Sequence, residues 1–581
     1  MGRYDHLLHP AKKLIPLNEI TRQGAAKYGK YPAMRRWKDD QYEVWTYNEL
    51  HQKVESISRW LISKDIAIDE HVAIIGDNSP EWEASYLGIQ GAGAVCIPID
   101  RMLPASGIRH VLADSGAKML FAESSYLESL REVEDIETLG VCISTDDISI
   151  DNSLLFSDVL AEGEKLEMEL PKRSLEDLAA ILYTSGTTGH SKGVMLSHHN
   201  IIFDAAAAGQ LYPIGPEDTW LSILPVHHSF EATAGFIYPL FSGSNITFAR
   251  SLKSTDIVAG IKETNVTFMN GVPLLFEKMQ QGIIRNVNKK GKVAKTLFNT
   301  IMGIVKFGEI FGLNLGVPLF RSIRKKAGMD SIKHFLSAGG PLDPEISKFF
   351  NRLGFHLFQG YGLTETAPCT HLTPPWKTKH ECVGIPLDGV EVKILDPDKE
   401  GVGEVCAKGP NVFLGYYKNP EATRETFTED GWFKTGDLGF IHDDDYLQIT
   451  GRKKAMLVTA GGKNVYPEEI EFYLNRSAFI AESVVLGINR LKGLGEEVAA
   501  LIHPDYEQID LYFEKIGIKG TPEKVFDLIR GEIQKAQDQI ADYKRIKLFR
   551  VFEEEFQKTT KRTIKRFLYH ADMLKMESQK V

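Results

Sequence analysis

Apolar and polar positions along the chain recur with two periods, and each period predicts a different element. Thr46-Tyr47-Asn48-Glu49 reads as a capping box, with Leu50, Val54, Ile57 and Leu61 following at helical spacing. His71-Val72-Ala73-Ile74-Ile75 is an unbroken apolar run, the pattern of a buried strand, stopped by Gly76-Asp77-Asn78-Ser79-Pro80. A helical stretch over 82–87 leads into Ala92-Gly93-Ala94-Val95-Cys96-Ile97-Pro98, a second strand. Strand, helix, strand in close succession predicts a parallel α/β layer. These segments carry no evident chemistry and read as scaffold. Leu221-Ser222-Ile223-Leu224-Pro225 is a further apolar strand, and 280–328 is an unusually long stretch with amphipathic runs such as 294–305.

At 581 residues the chain should split into at least two domains, and 43% hydrophobic with 25% charged residues is the balance of a soluble globular protein. A net charge of -10 argues against nucleic acid held through its phosphates. The five cysteines are scattered, with no Cys-x-x-Cys pair, which suits reduced thiols in a cytoplasmic enzyme. The first residues lack the apolar core of a signal peptide, and no apolar run is long enough to span a bilayer. The expectation is a soluble protein, or at most one lying on a membrane surface.

The candidate chemistry centres on Tyr183-Thr184-Ser185-Gly186-Thr187-Thr188-Gly189-His190-Ser191-Lys192-Gly193-Val194, entered from the apolar run Leu178-Ala179-Ala180-Ile181-Leu182. Such a turn brings backbone N–H groups, hydroxyls and one cation close to a polyphosphate. A flexible Ser/Gly linker is the bland alternative, and the apolar runs tight on both sides count against it. The lysine spacing is wrong for a Walker A loop. Paired histidines at His198-His199 and His227-His228 invite a metal reading, but neighbours on a helix or strand point apart and no His-Glu-x-x-His spacing occurs.

The loop resembles the signature of the adenylate-forming enzymes, with Ser191 where their pattern has proline. Ser337-Ala338-Gly339-Gly340-Pro341-Leu342, Gln359-Gly360-Tyr361-Gly362-Leu363-Thr364-Glu365-Thr366 and Gly431-Trp432-Phe433-Lys434-Thr435-Gly436-Asp437 extend the resemblance over nearly the whole chain. It implies an α/β fold: a large N-terminal domain of layered α/β subdomains with a β-barrel-like part (1–452), then a small mobile α+β domain (453–581). The resemblance implies ATP, Mg²⁺ and CoA as cofactors. Thr184, Ser185, Gly186, Thr187, Thr188, Gly189 and Lys192 would take the phosphates. Gly339, Gly340 and Pro341, with Gln359, Gly360, Tyr361 and Gly362, would surround adenine. Thr364 would meet the α-phosphate, Glu365 would hold Mg²⁺, Asp437 would bind the ribose, and Arg452 would lie on the ribose or phosphate. Lys454 falls at the hinge, and Gly461 and Gly462 would let pantetheine pass near backbone, with Pro467 opening the next helix.

His228 matches the position beside the acyl pocket, where it could gate the carboxylate; a satisfied core histidine is the other reading. Long-chain fatty acid members carry a helical insertion like 280–328, so the stretch either walls an alkyl tunnel or packs as plain core. The family's closing motif, Pro-Lys-Thr-x-x-Gly-Lys-Ile-x-Arg, departs here: Thr563 occupies the place of the lysine that bridges acid and α-phosphate. Lys561 and Lys565 lie two residues either side, and Lys565 is the favoured catalytic substitute. The resemblance implies a ligase that makes acyl-AMP and then acyl-CoA from a fatty acid. A ligase loading an acyl-carrier protein, or a non-catalytic nucleotide or lipid binder, are the alternatives. Fatty acid and CoA are the expected partners; peripheral membrane contact and homodimerisation are left open.

Overall fold

The computed structural model describes residues 3–131, 141–148, 153–184, 191–459, 463–488, 496–558 and 564–569. The chain forms two compact units, one from 1–392, 407–433 and 442–447 and the other from 393–406, 434–441 and 448–581.

The first unit is built on two sheets. One has eight strands in the order Gly415–Tyr416, Lys192–Ser197, Leu178–Thr184, Val95–Pro98, His71–Ile75, Met119–Ala122, Val141–Ser144 and Leu154–Leu155. The scaffold segments run parallel here, with Val72 opposite both Cys96 and Met119. The capping box forms as the pattern predicts: the Thr46 hydroxyl accepts from the Glu49 N–H, and Leu50, Val54, Ile57 and Leu61 are buried along the helix Tyr47–Ser63. The second sheet has nine strands, with Phe268–Gly271, His334–Ser337 and His356–Tyr361 parallel and adjacent. Residues of both sheets, among them Ile74, Leu182, Trp220 and Phe358, share one core with the helices. This is the layered α/β arrangement expected from sequence.

The long 280–328 stretch becomes three helices, Pro273–Lys289, Lys292–Ile310 and Gly316–Lys326. Their inward residues Phe276, Phe298, Val305 and Phe320 join Phe335 and Phe350 in a second core. Arg324 fixes the third helix: its guanidinium is buried and donates to the carbonyls of Leu353 (2.7 Å) and Val317 (3.0 Å).

The second unit contains a four-stranded sheet, Glu391–Leu395, Gly403–Lys408, Phe433–Ile441 and Leu447–Arg452. A three-stranded sheet of Ile480–Ile488, Glu497–Pro504 and Leu548–Val551 follows, sharing a core with Pro467–Leu474, Tyr506–Lys515 and Pro522–Gln537. The end of the chain is thus α+β, and Pro467 opens its helix as expected.

The scaffold also holds chemistry that periodicity does not disclose. Glu83 lies wholly buried on the helix Pro80–Gly91, and neither of its carboxyl oxygens has a hydrogen-bond partner. Burial and the nearby Glu231 push it well above the usual carboxylate range. Glu231 opens a π-helical segment, Glu231–Ile237; burial pushes it up to about 7, although Asn270 donates to it at 2.8 Å. Both carboxyls take protons more readily in the folded chain than in the unfolded one. Stability should therefore fall as pH rises through and above the ordinary carboxylate range, with Glu231 ionisation alone costing roughly 3 kcal/mol by pH 8. Glu231→Gln and Glu83→Gln should each raise the urea midpoint at pH 8 more than at pH 5. Equal effects at both pH values would show that these carboxyls do not titrate against burial.

Candidate active site

The strand Leu178–Thr184 returns antiparallel as Lys192–Ser197, with Thr184 directly opposite Lys192. The phosphate-loop residues Ser185, Gly186, Thr187, Thr188 and Gly189 lie outside the described residues, as do Gly461 and Gly462. Their flanks fix where the loop starts and ends: one polar residue on each strand at the mouth of a hairpin. Gly415–Tyr416 adds a further antiparallel strand to Lys192–Ser197.

That short strand supplies a residue the sequence reading missed. The Lys192 ammonium sits over the ring of Tyr416, 4.9 Å from its centroid, and the Tyr416 hydroxyl donates to Glu365 Oε1 at 2.8 Å. Burial and the adjacent carboxylate push the phenol up, so it stays protonated and donates. Lys192 and Glu365 form no ion pair with each other; Tyr416 meets one at its ring and the other at its hydroxyl. The only trace of Tyr416 in the sequence is Gly415-Tyr416-Tyr417, a pattern without chemical spacing.

Glu365 lies in the turn Thr364–Thr366, and its carbonyl accepts from the Phe413 N–H at 2.9 Å. Thr364 is buried. Gly362 could be nothing else, since a Cβ there would stand 1.8 Å from the Pro368 carbonyl oxygen. Tyr361 and Gly360 end the strand His356–Tyr361, and Gln359 within it gives its side-chain N–H groups to the carbonyls of His380 and Cys382. Gln359 thereby holds the wall together from inside. Gly339, Gly340 and Pro341 form an exposed turn after the strand His334–Ser337. A Cβ on Gly339 would meet nothing nearer than Val272 at 3.9 Å, and one on Gly340 nothing nearer than Pro273 at 3.6 Å. The space over this backbone is therefore open to a flat ligand.

His228 lies on a turn, its N–H donating to the Pro225 carbonyl. The turn, neither helix nor strand, brings the His227 and His228 rings to 4.3 Å, where a regular element would part them. His227 Nε2 is 3.1 Å from Asp100 Oδ1, and one ligand atom from each of Asp100, His227 and His228 falls within a 4.8 Å group.

In the second unit the buried carboxylate of Asp437 meets Arg452 Nε at 2.7 Å, so the residue expected on the ribose and the one expected on the ribose or phosphate hold each other. The Asp437 N–H donates to the Thr435 hydroxyl, which itself donates to the Val405 carbonyl at 2.7 Å. Near the end of the chain, Ile564 bridges Lys558 and the Lys565 N–H donates to the Gln557 carbonyl at 2.8 Å. Arg566 then donates to Glu471 at 2.9 Å. Lys561 and Thr563 lie outside the described residues.

The chain as a whole is similar to known proteins. A family model described as AMP-binding enzyme matches residues 21–417. A long-chain-fatty-acid–CoA ligase of Rattus norvegicus is 30% identical over 516 residues, spanning 84% of this chain and 77% of the relative. A chloroplastic long-chain-fatty-acid–acyl-carrier-protein ligase of Arabidopsis thaliana is 28% identical over 607 residues, spanning 90% and 80%. Among solved structures, ATP-bound MatB from Rhodopseudomonas palustris superposes with a TM-score of 0.75 at 23% identity, covering 97% of this chain and 99% of that one, a likeness of fold. With its family model spanning 21–417 and relatives alike over most of its length, the chain belongs to the AMP-binding enzymes.

Proposed function

We propose that this enzyme activates a long-chain fatty acid with ATP and passes the acyl group to CoA. The observation that carries the reading is the line Lys192–Tyr416–Glu365 at the mouth of the 184–192 hairpin, a cation and an anion held apart at the exit of a phosphate-type loop. The relatives' ligase names support the substrate class.

The acid's carboxylate oxygen attacks the α-phosphorus of ATP, and the bond to the departing pyrophosphate breaks. Two anions must be brought together, so fixed cations and donors carry the catalysis. Lys192 and the loop hydroxyls would hold the outer phosphates, and Thr364 would donate at the α-phosphate. Glu365 offers the hard carboxylate oxygen that suits Mg²⁺, which when bound would neutralise charge on the pyrophosphate. Tyr416 fixes that carboxylate by hydrogen bond and would leave the Lys192 head, held over its ring, for substrate. CoA thiolate then attacks the acyl carbonyl and AMP leaves. For this second step we propose a mobile segment starting at 453, with Lys454 at the hinge and Gly461 and Gly462 along the thiol path. Lys565, or Lys561, would stand in for the charge that Thr563 lacks. Because the backbone around Lys565 is pinned at 564–566, its reach would come from its four-carbon stem.

Lys192→Ala and Glu365→Ala should each lower pyrophosphate release by about 10²–10³. Tyr416→Phe should give a smaller loss, with a raised KM for ATP. Rates like wild type in all three would remove these groups from the reaction. Offered palmitate and acetate with CoA and acyl-carrier protein side by side, the enzyme should release pyrophosphate with palmitate and load CoA. Loading of the carrier protein alone would make it a carrier-protein ligase, and equal kcat/KM for the two acids would exclude a long-chain pocket. For the C-terminal lysine, Lys565→Ala should lose adenylation yet still convert supplied acyl-AMP to thioester, while Thr563→Lys gains little. If neither Lys565→Ala nor Lys561→Ala matters and Thr563→Lys accelerates adenylation strongly, no lysine has taken over.

A further inference from the structure

The second insertion helix, Lys292–Ile310, is apolar on two sides. Phe298 and Val305 face inward, with Phe298 5.5 Å from the Phe320 ring. A separate row of Val293, Leu297, Ile304, Phe307 and, just past the helix end, Phe311 falls within an arc of about 80° at 100° per residue. This row faces solvent: Val293 is 84% exposed, Phe307 63% and Phe311 64%, with Ile310 beside them at 75%. The apolar exposure continues into Leu313 and Val317. Isolated exposed apolar residues are ordinary, but a continuous row of large ones marks an interaction surface.

The charge around this row is lopsided. Between 285 and 326, nine lysines and arginines are exposed, including Lys289 and Lys290 on the approach to the helix and Lys292 and Lys295 in its first turn. The single acid in that stretch is Glu309, and the guanidinium of Arg352 holds it at 2.9 Å. The chain as a whole carries a net charge of -10, so this cationic region stands against the overall balance. A second copy of the chain would bring the same nine cations face to face, which disfavours self-association here. No described helix is long and apolar enough to cross a membrane. A helix of about 28 Å with one apolar face outward and a basic surround is the form that lies in a bilayer interface.

We propose that the exposed face of the 292–310 helix docks on an anionic lipid bilayer, with Val293, Leu297, Ile304, Phe307, Ile310 and Phe311 entering the acyl boundary and the surrounding lysines meeting lipid phosphates. The preceding helix starts at Pro273, beside the open Gly339–Gly340 turn and just after Asn270, the partner of Glu231. The insertion therefore joins the bilayer-facing helix to the turn expected at adenine and, through Asn270 and Glu231, to the stretch three residues past His228. Docking would deliver a membrane-partitioned acid; that consequence rests on the fatty-acid reading, whereas docking itself does not.

Vesicle flotation tests this, using phosphatidylcholine vesicles with and without phosphatidylglycerol. Wild-type protein should float with the anionic vesicles, less so as salt rises, and hardly at all with phosphatidylcholine alone. The triple variant Phe307→Ser, Ile310→Ser, Phe311→Ser should lose binding at least about tenfold with an unchanged melting temperature, since these side chains support no core. Lys289→Glu, Lys290→Glu, Lys292→Glu and Lys295→Glu together should abolish the preference for anionic lipid. Wild-type protein staying with the unbound fraction, or the triple variant binding as wild type, would overturn the proposal. A wild-type dimer in light scattering that the triple variant dissolves would overturn it in favour of self-contact. Pyrophosphate release measured without vesicles reads the fatty-acid activity separately, so failure of either reading is visible on its own.

Discussion

The polar geometry of the first unit depends on the two-residue strand Gly415–Tyr416. Its neighbours anchor it to the hairpin, with the Leu414 N–H donating to the Met195 carbonyl at 3.0 Å and the Tyr417 N–H to the Gly193 carbonyl at 2.8 Å. With the backbone so fixed, the Tyr416 ring can lie under Lys192 while its hydroxyl reaches Glu365. Opposite charges that close into a direct pair leave neither for a substrate. A phenol is suited to prevent this, because its face attracts a cation and its tip donates to an anion. The spacing of charge at the hairpin mouth is thus a property of one side chain and the strand that carries it.

What could be read from the chain without its structure follows from how local each constraint is. The capping box at Thr46 is legible because its partners lie three residues apart, whereas Gly362 entered only through its motif as an adenine neighbour, and the Pro368 carbonyl that leaves no room for a Cβ there shows only in the fold. Tyr416 was not legible: it meets a carboxylate 51 residues away, and only strand register decides that meeting. Glu83 looked like one polar residue in a scaffold helix; its burial opposite Glu231 depends on how helix and sheet layers stack. The expectation that His227 and His228 diverge assumed a regular element, and the chain makes a turn there. The layered α/β order, by contrast, was carried by apolar runs that bury themselves wherever they fall.

At the end of the chain the departure at Thr563 sits beside residues that are firmly placed. The Lys558–Ile564 bridge and the bond from Lys565 to Gln557 pair 557–558 with 564–565, and Arg566 is held by Glu471. Glu471 belongs to the helix that Pro467 opens, and its carboxylate also accepts from the Val485 N–H at 2.6 Å. One partly buried acid therefore ties together a helix, a strand and the closing motif. The threonine interrupts a motif whose frame is otherwise kept by backbone pairing and this ion pair.

Arg324 gives the insertion a mechanical character. Its guanidinium joins the third insertion helix at Val317 to Leu353, and Leu353 stands just ahead of the strand His356–Tyr361. A Cβ on Gly354 would collide with that guanidinium at 2.2 Å, so the glycine and the arginine form one fitted joint. A segment hung on two flexible linkers would let any pull on it dissipate as rattling. A segment bolted through a joint of this kind behaves as a bracket: load applied along it passes into the sheet, arriving at the strand whose last residue is Tyr361.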